Sequence, residues 1–114
     1  MRIALIIIVL SSLSGFNLQP AQKTMPGNRT REAKTLFRKA CVRCHGPDGR
    51  GETTKGQILG ATDFTDSDWQ ERVDDQRLSN AITHGKGDMP GFEKKLTKDQ
   101  IALLTLYVRT FKTN

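Results

Sequence analysis

The only two cysteines of the chain stand at 41 and 44, with a histidine directly behind them: Cys41-Val42-Arg43-Cys44-His45. Two thiols at this spacing can add across the two vinyl groups on one edge of a porphyrin and become thioethers. The two intervening residues let one helical turn span that edge. The histidine then follows under the ring, where its imidazole can ligate iron from the proximal side. Cys-x-x-Cys-His is the attachment pattern of a c-type haem.

Other chemistry is open to the same residues. A Cys-x-x-Cys pair can act as a redox dithiol, with His45 incidental. It can also form half of a zinc site that His45 and His84 would complete. A plain disulfide is the third reading.

A second stretch bears on the iron's other face: His84-Gly85-Lys86-Gly87-Asp88-Met89-Pro90-Gly91-Phe92. Met89 sits in a Gly/Pro-rich loop, a poor place for a core-filling methionine. Met1 and Met25, the other two, lie near the N-terminus. If the iron takes a thioether opposite His45, Met89 is the natural ligand. His84 is the rival and would give a bis-histidine site. It ends a helical pattern, where a protonated imidazole also suits the helix dipole.

These residues must be positioned by a small body. The chain has 114 residues, a net charge of +6 and 36% hydrophobic residues. That suits one domain with a modest core, which a covalently held apolar cofactor would staple. Met1 to about Gln22 reads as an export signal, with Arg2 in the n-region, Ile3 to Leu10 as the apolar run, and cuts after Ser14, Gly15 or Ala21 all compatible. The alternative is a retained membrane anchor, although the apolar run is short for a full span. Outside the cytoplasm a lone Cys-x-x-Cys would tend to oxidise, yet bacterial c-type haem attachment belongs to that compartment. Residues 23–29, with Pro26 and Gly27, read as a flexible lead-in, and the domain is expected to run from 30 to 114.

From Thr30, Ala33, Leu36, Phe37 and Ala40 fall at i, i+3, i+4 and i+7, one apolar stripe of a helix. Thr30 is the expected N-cap and Glu32 the first-turn acid. The helix delivers both cysteines in its last turn and ends near Gly46-Pro47. Gly46 to Gly60 reads as a glycine-rich loop, with Ile58 and Leu59 available to pack on the haem face. It lacks the strand and helix context of a phosphate-binding loop. Asp66 to Val73 is expected as a short helix capped by Asp66 or Ser67, and Asp74 to Thr83 as a better one stopped by Gly85. Trp69 either reaches a haem propionate through its N–H or simply packs. Thr97-Lys98-Asp99-Gln100 is a capping box, with Leu96 and Ile101 as its hydrophobic staple. Ile101, Leu104, Tyr107, Val108 and Phe111 then form a stripe that Leu103 and Leu106 widen. A terminal helix so apolar must pack, and the first helix offers Leu36 and Phe37. No strand pattern stands out.

Taken in order, the segment from Thr30 to Phe111 resembles a class I cytochrome c, the small single-haem kind also found as domains attached to oxidases and dehydrogenases. Four features carry the resemblance: a helix leading into Cys41-x-x-Cys44-His45, a Gly-rich stretch, a Met89-Pro90 loop, and a C-terminal helix with Tyr107 in its apolar face. The resemblance implies an all-α cytochrome c fold, with three to five short helices around one covalently attached haem c. Its first and last helices would cross at near right angles, and His45 and Met89 would be the axial ligands. In many members a proline early in the loop after the haem motif supplies a carbonyl to the axial histidine. The matching Gly-Pro is absent near Gly56-Gln57-Ile58-Leu59, and any backbone carbonyl can serve. Arg50 and Trp69 are the candidates for propionate contacts.

An iron with two protein ligands has no open position for substrate. The expectation is therefore outer-sphere transfer by a soluble one-electron carrier rather than an enzyme. A haem enzyme or gas sensor with a labile or absent sixth ligand is the alternative. A dithiol oxidoreductase is another, but it would need a βαβ context that the sequence lacks. Between Lys23 and Arg43 there are seven basic residues and one acid, Glu32, whereas between Asp63 and Asp75 there are six acids and one base, Arg72. A basic first helix beside the haem edge would steer acidic redox partners, soluble or part of a membrane oxidase or dehydrogenase. Two ordinary solvated faces are the plainer reading. No small-molecule substrate is expected. Nucleic acid is not expected either, for the basic residues are not interleaved with aromatics.

Overall fold

The computed structural model describes residues 25–113. The expected export signal, residues 1–22, lies outside the described residues. Within them the chain forms helices α1 (Gly27–Ala40), α2 (Val42–His45), α3 (Thr54–Leu59), α4 (Ser67–Arg72) and α5 (Asp75–His84). Two short strands, β1 (Gly85–Lys86) and β2 (Met89–Pro90), precede the last helix, α6 (Lys98–Arg109). Six helical segments exceed the three to five expected. The surplus comes from a break at Cys41 and from α3, where the sequence reads as loop.

The first helix starts three residues before Thr30, at Gly27, with Pro26 at the N-cap and no acid in its first turn. Thr30 is thus not the cap. Its hydroxyl donates back to the Pro26 carbonyl at 3.3 Å, and Glu32 falls beyond the first turn. A tertiary contact holds the extra turn: Arg29 Nη2 meets Asp99 Oδ1 at 2.9 Å, at the start of α6. Ala33 and Phe37 are buried as the stripe requires.

The other helix starts follow their side chains. Thr53 caps α3 by accepting from the Gly56 amide, and Asp66 caps α4 through Asp68 and Trp69. Asp74 caps α5 through Arg77, and Thr97 with Gln100 closes a reciprocal capping box on α6. Each such cap contributes about 1 kcal/mol. The expected α4, α5 and α6 are therefore present within a residue or so of their sequence signals.

The last helix packs against α1 and α5. Phe37, Phe64, Leu78, Ile82, Ile101, Leu104 and Val108 form the buried cluster, with Leu36, Leu96, Trp69, Tyr107 and Phe111 half-buried against it. Each large side chain fully buried there contributes roughly 1.5–3 kcal/mol relative to exposure. The fold is the expected all-α one, and the two short strands are a small addition that no strand pattern in the sequence announces. They form a two-residue antiparallel hairpin pairing Gly85 with Pro90 and Lys86 with Met89. Among the described residues no helix is long and apolar enough to cross a membrane.

Candidate haem-binding site

Cys41 ends α1 and begins α2, and it is the point at which the helix breaks, at φ −116°. Cys44 and His45 occupy the next turn, whose amides both reach back to the Cys41 carbonyl, at 3.1 and 3.0 Å. The structure thus brings both thiols and the imidazole onto one turn. His45 is buried, at 8% exposure. Its Nδ1 lies 3.1 Å from the Thr62 carbonyl oxygen. A carbonyl only accepts, so Nδ1 carries the proton and Nε2 keeps its lone pair for a metal. Burial also pushes the imidazole's pKa below its ordinary value, the Thr62 bond opposing only in part. Burial thus favours the neutral imidazole, the form that can ligate iron.

The Thr62 carbonyl answers the question left open by the missing proline. Sequence reasoning missed it because a backbone acceptor 17 residues away carries no local signal. A second contact was also missed. The Phe64 ring stacks on the His45 ring, with centroids 4.2 Å apart and planes at 18°.

The segment after the motif is drawn tightly against α2. Thr53 Oγ1 lies 2.9 Å from the carbonyl oxygens of both Arg43 and Cys44. Gly56 sits where a Cβ would come within 2.1 Å of the Cys44 carbonyl oxygen. This packing holds α3 beside the haem motif. On α3, Ile58 is 77% exposed and Leu59 37%, the two large apolar side chains that the described protein surface leaves uncovered.

Met89 is half-buried and packs against the core cluster from β2. Its loop is shaped by glycine. The hairpin turns through Gly87-Asp88, with Gly87 at φ +57°, the arrangement expected where glycine leads a two-residue turn. Gly91 lies so close to α5 that a Cβ would stand 2.6 Å from the Thr83 carbonyl oxygen. His84 is elsewhere in character. Its side chain is 65% exposed and its Nδ1 lies 3.4 Å from Glu93 Oε2. Arg50 is exposed, 3.9 Å from Asp48. Trp69 is half-buried with its ring 5.4 Å from that of Phe64, which matches the packing role.

The rival readings of the cysteines fare poorly. Among the described residues no group of three or more His, Cys, Asp and Glu side chains is gathered to hold a metal, so the zinc set of Cys41, Cys44, His45 and His84 is not assembled. Burial, with a smaller contribution from Cys44, pushes the Cys41 thiol up to about 12. A redox dithiol needs the opposite shift. The donor set instead suits a haem: two thiols on one turn, an imidazole with Nε2 free, and uncovered apolar side chains beside them.

Comparison with known proteins agrees. The family described as "Cytochrome C oxidase, cbb3-type, subunit III" matches residues 28–108. The chain is 33% identical over 100 residues to the cbb3-type cytochrome c oxidase subunit FixP of Bradyrhizobium diazoefficiens, covering 87% of this chain and 31% of that subunit. It is 30% identical over 103 residues to cytochrome c6 of Gloeothece citriformis, covering 90% of this chain and 86% of the relative. Among solved structures it resembles the KustC0563 c-type cytochrome, with a TM-score of 0.68 and 36% identity, over 71% of this chain and 98% of that one. The chain spans about a third or less of the length of the oxidase subunits it matches. The chain belongs to the cbb3-type subunit III family of c-type cytochromes, and it is a mono-haem class I cytochrome c domain whose cofactor is one covalently attached haem c.

Proposed function

We propose that the domain is a soluble one-electron carrier, exported to the periplasm, in which Cys41 and Cys44 hold the haem through thioethers and His45 and Met89 are its axial ligands. The observation that carries this reading is the hydrogen bond from His45 Nδ1 to the Thr62 carbonyl, which leaves Nε2 free one residue after the second thiol. When bound, the haem supplies an iron that exchanges one electron between its ferric and ferrous states. The chain's own residues do the rest. The thioethers prevent loss of the group. The Thr62 carbonyl fixes the imidazole's tautomer and increases its basicity as a ligand. The Met89 thioether would hold the iron on its other side, favouring the ferrous state and raising the potential. With His45 and Met89 both holding the iron, no position would remain for a substrate, so no residue is assigned as acid, base or nucleophile.

The surface supports docking to acidic redox proteins, whether soluble or part of a membrane oxidase or dehydrogenase. Arg31, Lys34, Arg38, Lys39 and Arg43 are exposed, and among the described residues none of them forms an ion pair. Five of the six acids between 63 and 75 are engaged otherwise. Asp63 holds Thr65, Asp66 and Asp74 cap helices, Glu71 meets Lys112 and Asp75 meets Arg109. The bipolar sequence thus becomes a run of exposed basic residues along α1 and α2 and an acidic segment largely committed to the fold.

One sample decides the ligand set. The ferric protein from its export compartment is expected to carry the mass of one haem and the weak far-red sulfur-to-iron band. A missing band with immediate cyanide binding would select the haem enzyme or gas sensor instead.

A further inference from the structure

His45 is held at two places, and only one of them is the Nδ1 bond. The other is the stacked ring of Phe64. Phe64 is itself 6% exposed and is fixed on several sides. Its amide donates to the Gly49 carbonyl at 2.8 Å, and its carbonyl accepts from Gln70 Nε2 at 2.8 Å. Its ring meets Phe37 edge-on, at a centroid distance of 6.4 Å.

Gln70 is unusual for a glutamine, being 7% exposed inside a small domain. Its amide is fully engaged. Besides Phe64, Nε2 donates to the Val108 carbonyl at 2.9 Å, and Oε1 accepts from Arg109 Nη1 at 2.9 Å. Arg109 also donates to the Gln70 and Val73 carbonyls and pairs with Asp75 at 2.9 Å. A buried amide that lost any of these partners would carry an unsatisfied polar group. The network therefore accepts essentially one arrangement, and that arrangement places the Phe64 backbone against the end of α6.

We propose that Phe64, locked by the Gln70–Arg109 pair, is a positioning residue that sets the orientation of the His45 imidazole plane. The inference rests on His45 being an axial ligand. Its physical basis is a division of labour. The bond to Thr62 fixes the tautomer and one edge of the ring, but the ring can still rock about the Nδ1···O line. A flat neighbour stacked nearly parallel removes that freedom. In ferric low-spin haem proteins the plane of the imidazole governs how unpaired spin is spread over the porphyrin, so the plane has its own spectroscopic signature.

The test uses the holo-protein. In the diamagnetic ferrous state, proton cross-relaxation between the Phe64 and His45 rings is expected; its absence would overturn the proposal without any variant. In the ferric state, the paramagnetic shifts of the haem methyls are then compared. Phe64→Leu keeps apolar bulk but removes the flat face, and it is expected to change the spread or order of the methyl shifts. Phe111→Leu removes a ring that neighbours Phe64, at 6.2 Å, and is expected to leave the pattern at its wild-type values. Arg109→Lys keeps the charge opposite Asp75 but loses the forked contacts to Gln70. It should shift the methyls in the same direction as Phe64→Leu, by less. An unchanged pattern in Phe64→Leu, or an equal change in Phe111→Leu, overturns the proposal. If Phe64→Leu does not accumulate, the ring cross-relaxation and Arg109→Lys decide it. A wild-type ferric protein without the low-spin signature of an axial histidine would instead remove the ligand reading, so the two failures are distinguishable.

Discussion

Gly56 lies directly beneath the Cys44 carbonyl, so close that a Cβ on Gly56 would stand 2.1 Å from that oxygen and 2.5 Å from the Gly51 oxygen. Both obstacles are backbone, so neither can swing aside. Gly56→Ala must therefore push α3 off α2, and the destabilisation expected from such overpacking is about 1–3 kcal/mol. Gly27→Ala is the control, since nothing lies within 4 Å of a Cβ there. Denaturant midpoints of the two haem-loaded variants check this. Equal midpoints would mean that the contact with Cys44 does not hold the segment.

Met89→Ala should retain the covalent haem, because the thioethers are untouched. It should also abolish the far-red sulfur-to-iron band and open the iron to cyanide. Axial ligands span about 0.8 V of potential among haem proteins, and loss of the thioether should lower this one by on the order of 0.1 V. Spectroelectrochemistry reads the change. An unaltered potential would remove Met89 from the ligand set and return His84 to consideration, despite its exposed position beside Glu93.

What could be read from the sequence followed from how local each signal was. The last helix declares itself, since Thr97 and Gln100 make its capping box and Ile101, Leu104 and Val108 its buried stripe. The Cys41–His45 turn is equally local. The third helix was missed because Gly56 interrupts it, although Thr53 stood as a regular N-cap. The hairpin at Met89 escaped because strands of two residues have no periodicity to detect. Thr62, Phe64, Gln70 and Arg109 were invisible for a different reason. Their partners lie between 6 and 39 residues away, and nothing in their own neighbourhood distinguishes them.

Arg43 stands exposed between the two cysteines, so its charge should be felt by whatever approaches the haem edge. Arg43→Glu should slow reduction of an anionic oxidant such as ferricyanide several-fold at low ionic strength, and speed a cationic cobalt oxidant correspondingly. Both effects should vanish near 1 M salt, where the Debye length is about 3 Å. Stopped-flow rates across a salt series measure this. Rates indifferent to the substitution at every ionic strength would show that the run of basic residues does not steer electron partners.

The fold should depend on its cofactor. The helices have 14, 4, 6, 6, 10 and 12 residues. Isolated helices shorter than about 12–15 residues are marginal in water. Tertiary burial must supply the difference, yet Ile58 is 77% exposed and Leu59 37% on the very helix that flanks the haem motif. Covering them is the haem's task in this reading. The double variant Cys41→Ser/Cys44→Ser, prepared free of haem, should therefore show largely unfolded far-UV circular dichroism at 25 °C, with no cooperative thermal transition. Helical content matching that of the haem-loaded protein would mean that the polypeptide alone supplies the core.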